Sequence, residues 1–292
     1  MTAATASPAN AQSDAAPSRV VRQLRADARL WIGGSVVLVL ALAALAAPLV
    51  ATHDPFSIDL RSALQPPGAG HFFGTDAQGR DVYSRLVYGA RVSLLVGIIS
   101  QGISLSMGVA LGLVAGYRGG WADDAVMRLA DITLAFPSLL LLIAMAAAFE
   151  PSLALVCIVI GVVGWAAMAR LVRGQVLVVR ELEYVQAMRA AGASSTRVAL
   201  RHVLPNIVAP VIIASTLGIA GAIMAEAALS FLGLGVQPPT PSWGAMIADG
   251  RDLSQLRNAP WTSLAPGLAI GAAVLGFNLM GDALRDALDP RN

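Results

Sequence analysis

The chemistry open to this chain is narrowed first by its cationic residues. All 20 are arginine, and lysine is absent. A Walker A loop needs a lysine to reach the β- and γ-phosphates, so that ATP site is excluded here. Schiff-base chemistry on a lysine is excluded with it. The His-Glu-x-x-His pattern of zinc peptidases and the Gly-x-Ser-x-Gly elbow of serine hydrolases are also missing, so no catalytic residue is assigned. The one cysteine, Cys157, falls in an apolar run and reads as a small inert side chain, with no disulfide possible within the chain. His53, His71 and His202 are far apart in sequence and assigned to different faces, which predicts no metal site.

Glu226 is the one acid well inside an apolar stretch. An isolated acid at mid-membrane costs about 3 kcal/mol on insertion scales, so it must be paired or protonated. Two readings stand: a polar contact facing a translocation pathway, or a hydrogen bond between helices. Ser230, one turn further on, shares both readings, and Gln101 and Asn278 are further polar groups in apolar stretches.

The elements that hold these residues are membrane spans. The chain is 56% hydrophobic and 13% charged, against globular averages of about 45–50% and about 25%, and its mean hydropathy is +0.68. The net charge of +2 and the lack of a basic face interleaved with aromatics exclude nucleic acid as a partner. Apolar runs at about 30–51, 92–115, 132–148, 153–169, 207–232 and 264–281 are each suited to a bilayer core of about 30 Å. Residues 1–29 form a polar, then basic, tail expected to be disordered in its first part. Residues 30–292 form the membrane domain. The first run is longer than a signal-peptide core of about 7–15 residues and is followed by more spans, so it reads as an uncleaved helix. Pro137 should loosen the third span locally, since proline lacks a donor. Gly102, Gly108, Gly112 and Gly116 suggest close helix packing.

With the amino terminus inside, fourteen arginines fall on the cytoplasmic side (19, 22, 25, 29, 118, 128, 170, 173, 180, 189, 197, 201, 285 and 291). Six fall outside (61, 80, 85, 91, 251 and 257). That bias matches the positive-inside rule and predicts six spans with both termini cytoplasmic. Asp76, Arg80, Asp81 and Arg85 should form a salt-bridged cap on span two. Pro238 to Trp243 should form a rigid outer elbow, with Trp243 at the membrane interface.

Charge concentrates in the inner segment 170–206, where six arginines face only Glu181 and Glu183. Leu182, Val185 and Met188 recur at helical spacing, with Ala187, Ala190 and Ala191 beside them, so an amphipathic helix is expected. Gly192 should end it at positive φ. Ser194 or Ser195 should cap a second short helix, and Pro205 should lie at the start of the next span. Two functions fit such a segment: a basic face on anionic headgroups, or a docking knob whose small residues let another backbone approach.

The spacing is specific. The segment resembles the EAA loop of ABC-importer permeases, with Gln186-Ala187-Met188 at the Glu-Ala-Ala triplet, Gly192 at the glycine and Leu204-Pro205 at the closing Leu-Pro. Three residues separate Met188 from Gly192, and nine separate Gly192 from His202. The departures are Gln186 for Glu, Met188 for Ala and His202 for Ile. Two further stretches are similar to permeases of the dipeptide and oligopeptide importers, closest to their second, C-type subunit. One runs from Phe73-Gly74-Thr75-Asp76 through Gly79-Arg80-Asp81 to Ser93-Leu94. The other runs from Glu226 to Gly235 and on through Pro241-Ser242-Trp243-Gly244 to Asp249-Gly250-Arg251.

That resemblance implies an all-α integral membrane protein of the type I ABC-importer (MetI-like) fold in the cell inner membrane. It implies a transport subunit and not an enzyme, binding no cofactor itself, with ATP and Mg on partner ATPase subunits. The implied partners are a homologous second permease, two ABC ATPases, an extracytoplasmic substrate-binding protein, the lipid bilayer and a peptide substrate. Glutathione and nickel complexes are the alternative cargoes. The coupling surface would comprise Glu183, Tyr184, Val185, Gln186, Ala187, Met188, Ala190, Ala191, Gly192, Ser194, Leu204 and Pro205. A secondary transporter would show several embedded ionisable residues or an internal repeat; the sequence has one embedded acid and no visible repeat.

Overall fold

The computed structural model describes residues 22–288. The disorder expected at the start of the tail falls outside them. Among the described residues the only strand-like pairing is an isolated bridge between Thr75 and Asp81. The first long helix, α1 (Ala28–Leu45), starts where the Asp27 side chain accepts from the Arg29 amide at 2.8 Å. A long connection then leads to α2 (Val82–Arg118), capped by Asp81, whose side chain accepts from the Ser84 amide. Its 37 residues make a rod about 55 Å long. Gly119, at φ 67°, ends it.

The third apolar run is not a straight helix. α3 (Gly120–Ala135) and α4 (Ser138–Ala147) meet at Phe136-Pro137 with a bend of 91°. Pro137 supplies no amide donor and holds Phe136 extended at ψ 140°, so the local loosening expected at this proline is a full break. Next, α5 (Leu153–Val179) runs ten residues past the end of its apolar stretch at 169. After α6 (Glu183–Ala190) comes α7 (Ser195–Val198). It passes through a π turn, Ala199–Val203, and a 3₁₀ turn, Leu204–Ile207, into α8 (Val208–Phe231). Most of 170–206 is therefore helix continuous with the spans on either side. Two short helices, α9 (Trp243–Asp249) and α10 (Leu253–Asn258), precede α11 (Trp261–Leu288). By length and composition five helical stretches can cross a membrane, or six if the bent pair counts as one.

The most extensive helix contact is between α2 and α5, and glycines permit it. A Cβ on Gly112 would lie 2.5 Å from the Ala169 carbonyl oxygen, and one on Gly108 would lie 2.5 Å from Met168 Cβ. Gly116 is similarly closed by Val176, whereas nothing lies within 4 Å of Gly102. Gly112→Val should lower stability in detergent by about 1–3 kcal/mol, because the added methyls force this contact apart. Melting of Gly102→Val alongside, with little change, checks that the loss comes from packing.

Candidate coupling site

The end of the bundle where α2 terminates carries α6. Its Val185 is fully buried and joins Val198, Val203 and Ile207 in one apolar cluster with Val172 and Val176 of α5. Met188 and Leu204 are half-buried beside them. The other residues expected on a docking surface, namely Glu183, Tyr184, Gln186, Ala187, Ala190, Ala191, Gly192, Ser194 and Pro205, are exposed. One valine thus anchors α6 to the ends of the long helices while its small-residue face points away.

The exit from α6 is as the glycine spacing predicts. Gly192 has φ 80° and donates to the Arg189 carbonyl at 3.0 Å, while Ala193 donates to the Met188 carbonyl at 3.1 Å. This pair of bonds is a Schellman closure, and Ala193 and Met188 both pack against the same apolar cluster. Ser194 occupies the position before α7 but makes no capping bond with its side chain.

Arginines stitch this assembly to its neighbours. Arg173 makes a two-pronged pair with Asp123 of α3 at 2.5 and 2.6 Å, and Arg170 meets Asp131 at 2.6 Å. Arg180 donates to the Gly116 carbonyl at the end of α2 at 2.7 Å. Arg189 lies 4.8 Å from the ring centre of Tyr117. Sequence reasoning passed over Tyr117, Asp123 and Asp131, because nothing in their own neighbourhood marks them as partners. Of the six arginines, Arg197 and Arg201 alone make no side-chain bond among the described residues.

The opposite end of α2 holds a buried ion cluster. Arg80 pairs with Asp76 at 2.7 Å and with Asp249 of α9 at 2.7 Å, and Arg85 reaches the same Asp249 oxygen at 3.1 Å. The salt-bridged cap is therefore present, with Asp249 as the member contributed from far along the chain. Asp81 turns away from it. Burial pushes the Asp81 carboxyl up, but bonds from Ser84 and His71 outweigh that and hold it below its ordinary value. His53 and His71, assigned to different faces from the sequence, in fact stack with ring centres 4.5 Å apart, because the 52–81 connection folds back on the start of α2. His202 stays at the other end, within the π turn Ala199–Val203. Trp243 is likewise not exposed toward headgroups: it is fully buried, donates to the Leu86 carbonyl at 3.0 Å and packs against Gly89.

Between the two ends, Glu226 is fully buried. Its carboxylate accepts from Ser93 at 3.1 Å and from Ser230 at 2.7 Å. Each serine oxygen in turn accepts from a backbone amide, that of Trp243 for Ser93 and that of Val236 for Ser230. The network thus runs one way, toward Glu226, and ties α2, α8 and the start of α9 together. Glu226→Gln puts an N–H₂ where a hydroxyl donates, leaving one buried group unmatched at about 1–3 kcal/mol. The variant should assemble, melt earlier and slow any transport that needs α8 to shift. Unchanged transport in an intact complex would limit this cluster to architecture.

A separate cavity of about 380 Å³ opens between α2, α4, α5 and α8, with Ser100, Gln101, Ser104 and Ser138 among its lining. Glu226 and Ser230 lie outside that lining.

Residues 108–292 match the family described as binding-protein-dependent transport system inner membrane component. The chain belongs to that family. Residues 18–67 match the N-terminal TM domain of oligopeptide transport permease C, so α1 lies in a recognised membrane segment of these permeases. A dipeptide transport system permease of Alkalihalophilus pseudofirmus is 46% identical over 92% of this chain and 88% of its own length. An oligopeptide transport system permease of Bacillus subtilis is 39% identical over 92% and 88%. A glutathione transport system permease of Pectobacterium atrosepticum is 41% identical over 92% and 89%. This permease is thus an inner-membrane component of an ABC importer.

Proposed function

We propose that this chain forms half of the translocation pathway of an ATP-driven importer of di- and oligopeptides. The observation that carries the reading is the family match over residues 108–292 together with relatives named for dipeptide and oligopeptide transport along nine-tenths of the chain. In this reading α3 and α4 together make the third of six crossings, and both termini face the cytoplasm, in line with the fourteen arginines on that side. The second half of the pathway is a homologous permease. Two ATPase subunits bind ATP and Mg, since this chain has no lysine for a phosphate loop. A substrate-binding protein delivers cargo at the outer end of α2.

The coupling site supplies the mechanism. An ATPase seats α6 through the exposed face of Ala187, Ala190, Ala191 and Gly192. Closure of the ATPases moves α6, and Val185 and Arg180 carry that movement into α5 and α2. The spans then exchange inward and outward openings around the cavity near Gln101, with the Glu226–Ser230 cluster holding α8 against α2. Uptake of a labelled dipeptide and a labelled oligopeptide by cells lacking this gene, with and without this chain restored, tests the reading. Restoration of both supports it. Unchanged peptide uptake in the deletion strain, with loss of glutathione uptake instead, would replace peptide by glutathione as cargo.

A further inference from the structure

We infer that the outer end of this chain holds a divalent transition-metal site, formed by His53, His71 and Asp81. One ligand atom from each lies within 4.8 Å of the others. His71 Nδ1 is 2.8 Å from Asp81 Oδ1, and His53 Nδ1 is 3.7 Å from the same oxygen. Ligand atoms at about 2.0–2.1 Å from a tetrahedral ion sit about 3.3 Å from one another. The two separations from Asp81 bracket that value, so small shifts of the two rings bring each histidine into reach of an ion on Oδ1.

The surroundings suit an ion. The Asp81 side chain is 1% exposed, and its other oxygen is held by the Ser84 amide at 2.8 Å, which fixes the direction of Oδ1. Thr52 lies against both, 3.0 Å from His53 Nδ1 and 3.4 Å from Asp81, and its bond to the histidine would be given up when that nitrogen takes the ion. The three ligands border a cleft of about 230 Å³ whose wall also includes Asp54 and Asp59, leaving room for a water or a further carboxylate in the fourth position. Two imidazoles and a carboxylate favour zinc and its neighbours over magnesium or calcium, which prefer oxygen throughout.

Without an ion, the His71 ring hydrogen-bonds Asp81 through Nδ1. An ion at Nδ1 takes the place of that hydrogen bond, and the neutral ring then carries its single proton on Nε2. The consequence is mechanical. His53 follows the end of α1, His71 lies in the long connection and Asp81 caps α2, so one ion would tie three segments where an external protein would meet the permease.

The test uses the complete complex purified without a polyhistidine tag and stripped with EDTA. Bound zinc is measured after desalting, alongside the melting temperature with added ZnCl₂ or MgCl₂. One extra zinc per complex and a zinc-specific rise in melting temperature are expected. Both should be lost in a His53→Ala, His71→Ala double variant, with zinc affinity lowered at least about 100-fold. His71→Gln, which keeps a donor toward Asp81, should retain the zinc-free melting temperature and still lose the zinc response. Equal zinc binding by the parent and both variants, or no zinc retained by the parent, overturns the assignment.

Discussion

An Ala190→Glu, Ala191→Glu double variant should assemble at normal levels yet lose ATP-driven uptake by about 100-fold, two steps of roughly 1.4 kcal/mol. Both side chains are exposed, so the carboxylates cost the isolated fold little. Seated in an ATPase cleft they would be stripped of water without partners, which is strongly unfavourable. The Schellman closure at Gly192 keeps α6 rigid, so the segment cannot swing aside to spare them. Hydrolysis by the assembled complex, measured with and without the loaded binding protein, separates this from misfolding. Basal hydrolysis should persist and its stimulation vanish. Normal stimulation in the variant would remove α6 from the coupling route.

Asp76→Ala should be the most destabilising single change at the outer end, costing about 3–5 kcal/mol. Asp76 is 7% exposed. It accepts from the amides of Gln78 and Arg80 at 2.8 and 3.0 Å as well as from the Arg80 side chain. Removing it leaves Arg80 and Arg85, both buried, to share the one carboxylate of Asp249. Asp249→Ala should cost less, because that side chain is 43% exposed and water already screens it. Melting curves of the two variants in the same detergent give the order. A smaller loss for Asp76→Ala than for Asp249→Ala would show that the arginines draw their support chiefly from α9.

Local pattern made much of the structure of the candidate coupling segment legible. Val185 and Met188 at helical spacing placed the buried face of α6, and Gly192 marked its end. The limits of the segment were not legible for a different reason. Hydropathy registers where charge begins, at Arg170, but α5 continues because Arg170 and Arg173 are good helix residues whose charge is met by Asp131 and Asp123. Those partners lie 39 and 50 residues away, beyond any local window. Trp243 misled for a related reason. Its composition suggests a headgroup anchor, but its N–H finds the Leu86 carbonyl inside the fold, which permits full burial. The meeting of His53 with His71 likewise depends on how the 52–81 connection folds, and no spacing rule records that.

The unbroken length of α2 has a consequence for any movement the permease makes. It carries the ion cluster at its first turn and, at its last, Gly116 and Tyr117, which meet Arg180 and Arg189, with no proline between them. A shaft of this kind has no joint at which to absorb rotation. A tilt of ~10° about one end would sweep the other through ~10 Å, given its rise per residue. Displacement applied at the arginine-lined face would therefore reappear, with opposite sense about a central pivot, at the ion-cluster end. The two sides of the membrane would be kept in antiphase by geometry alone.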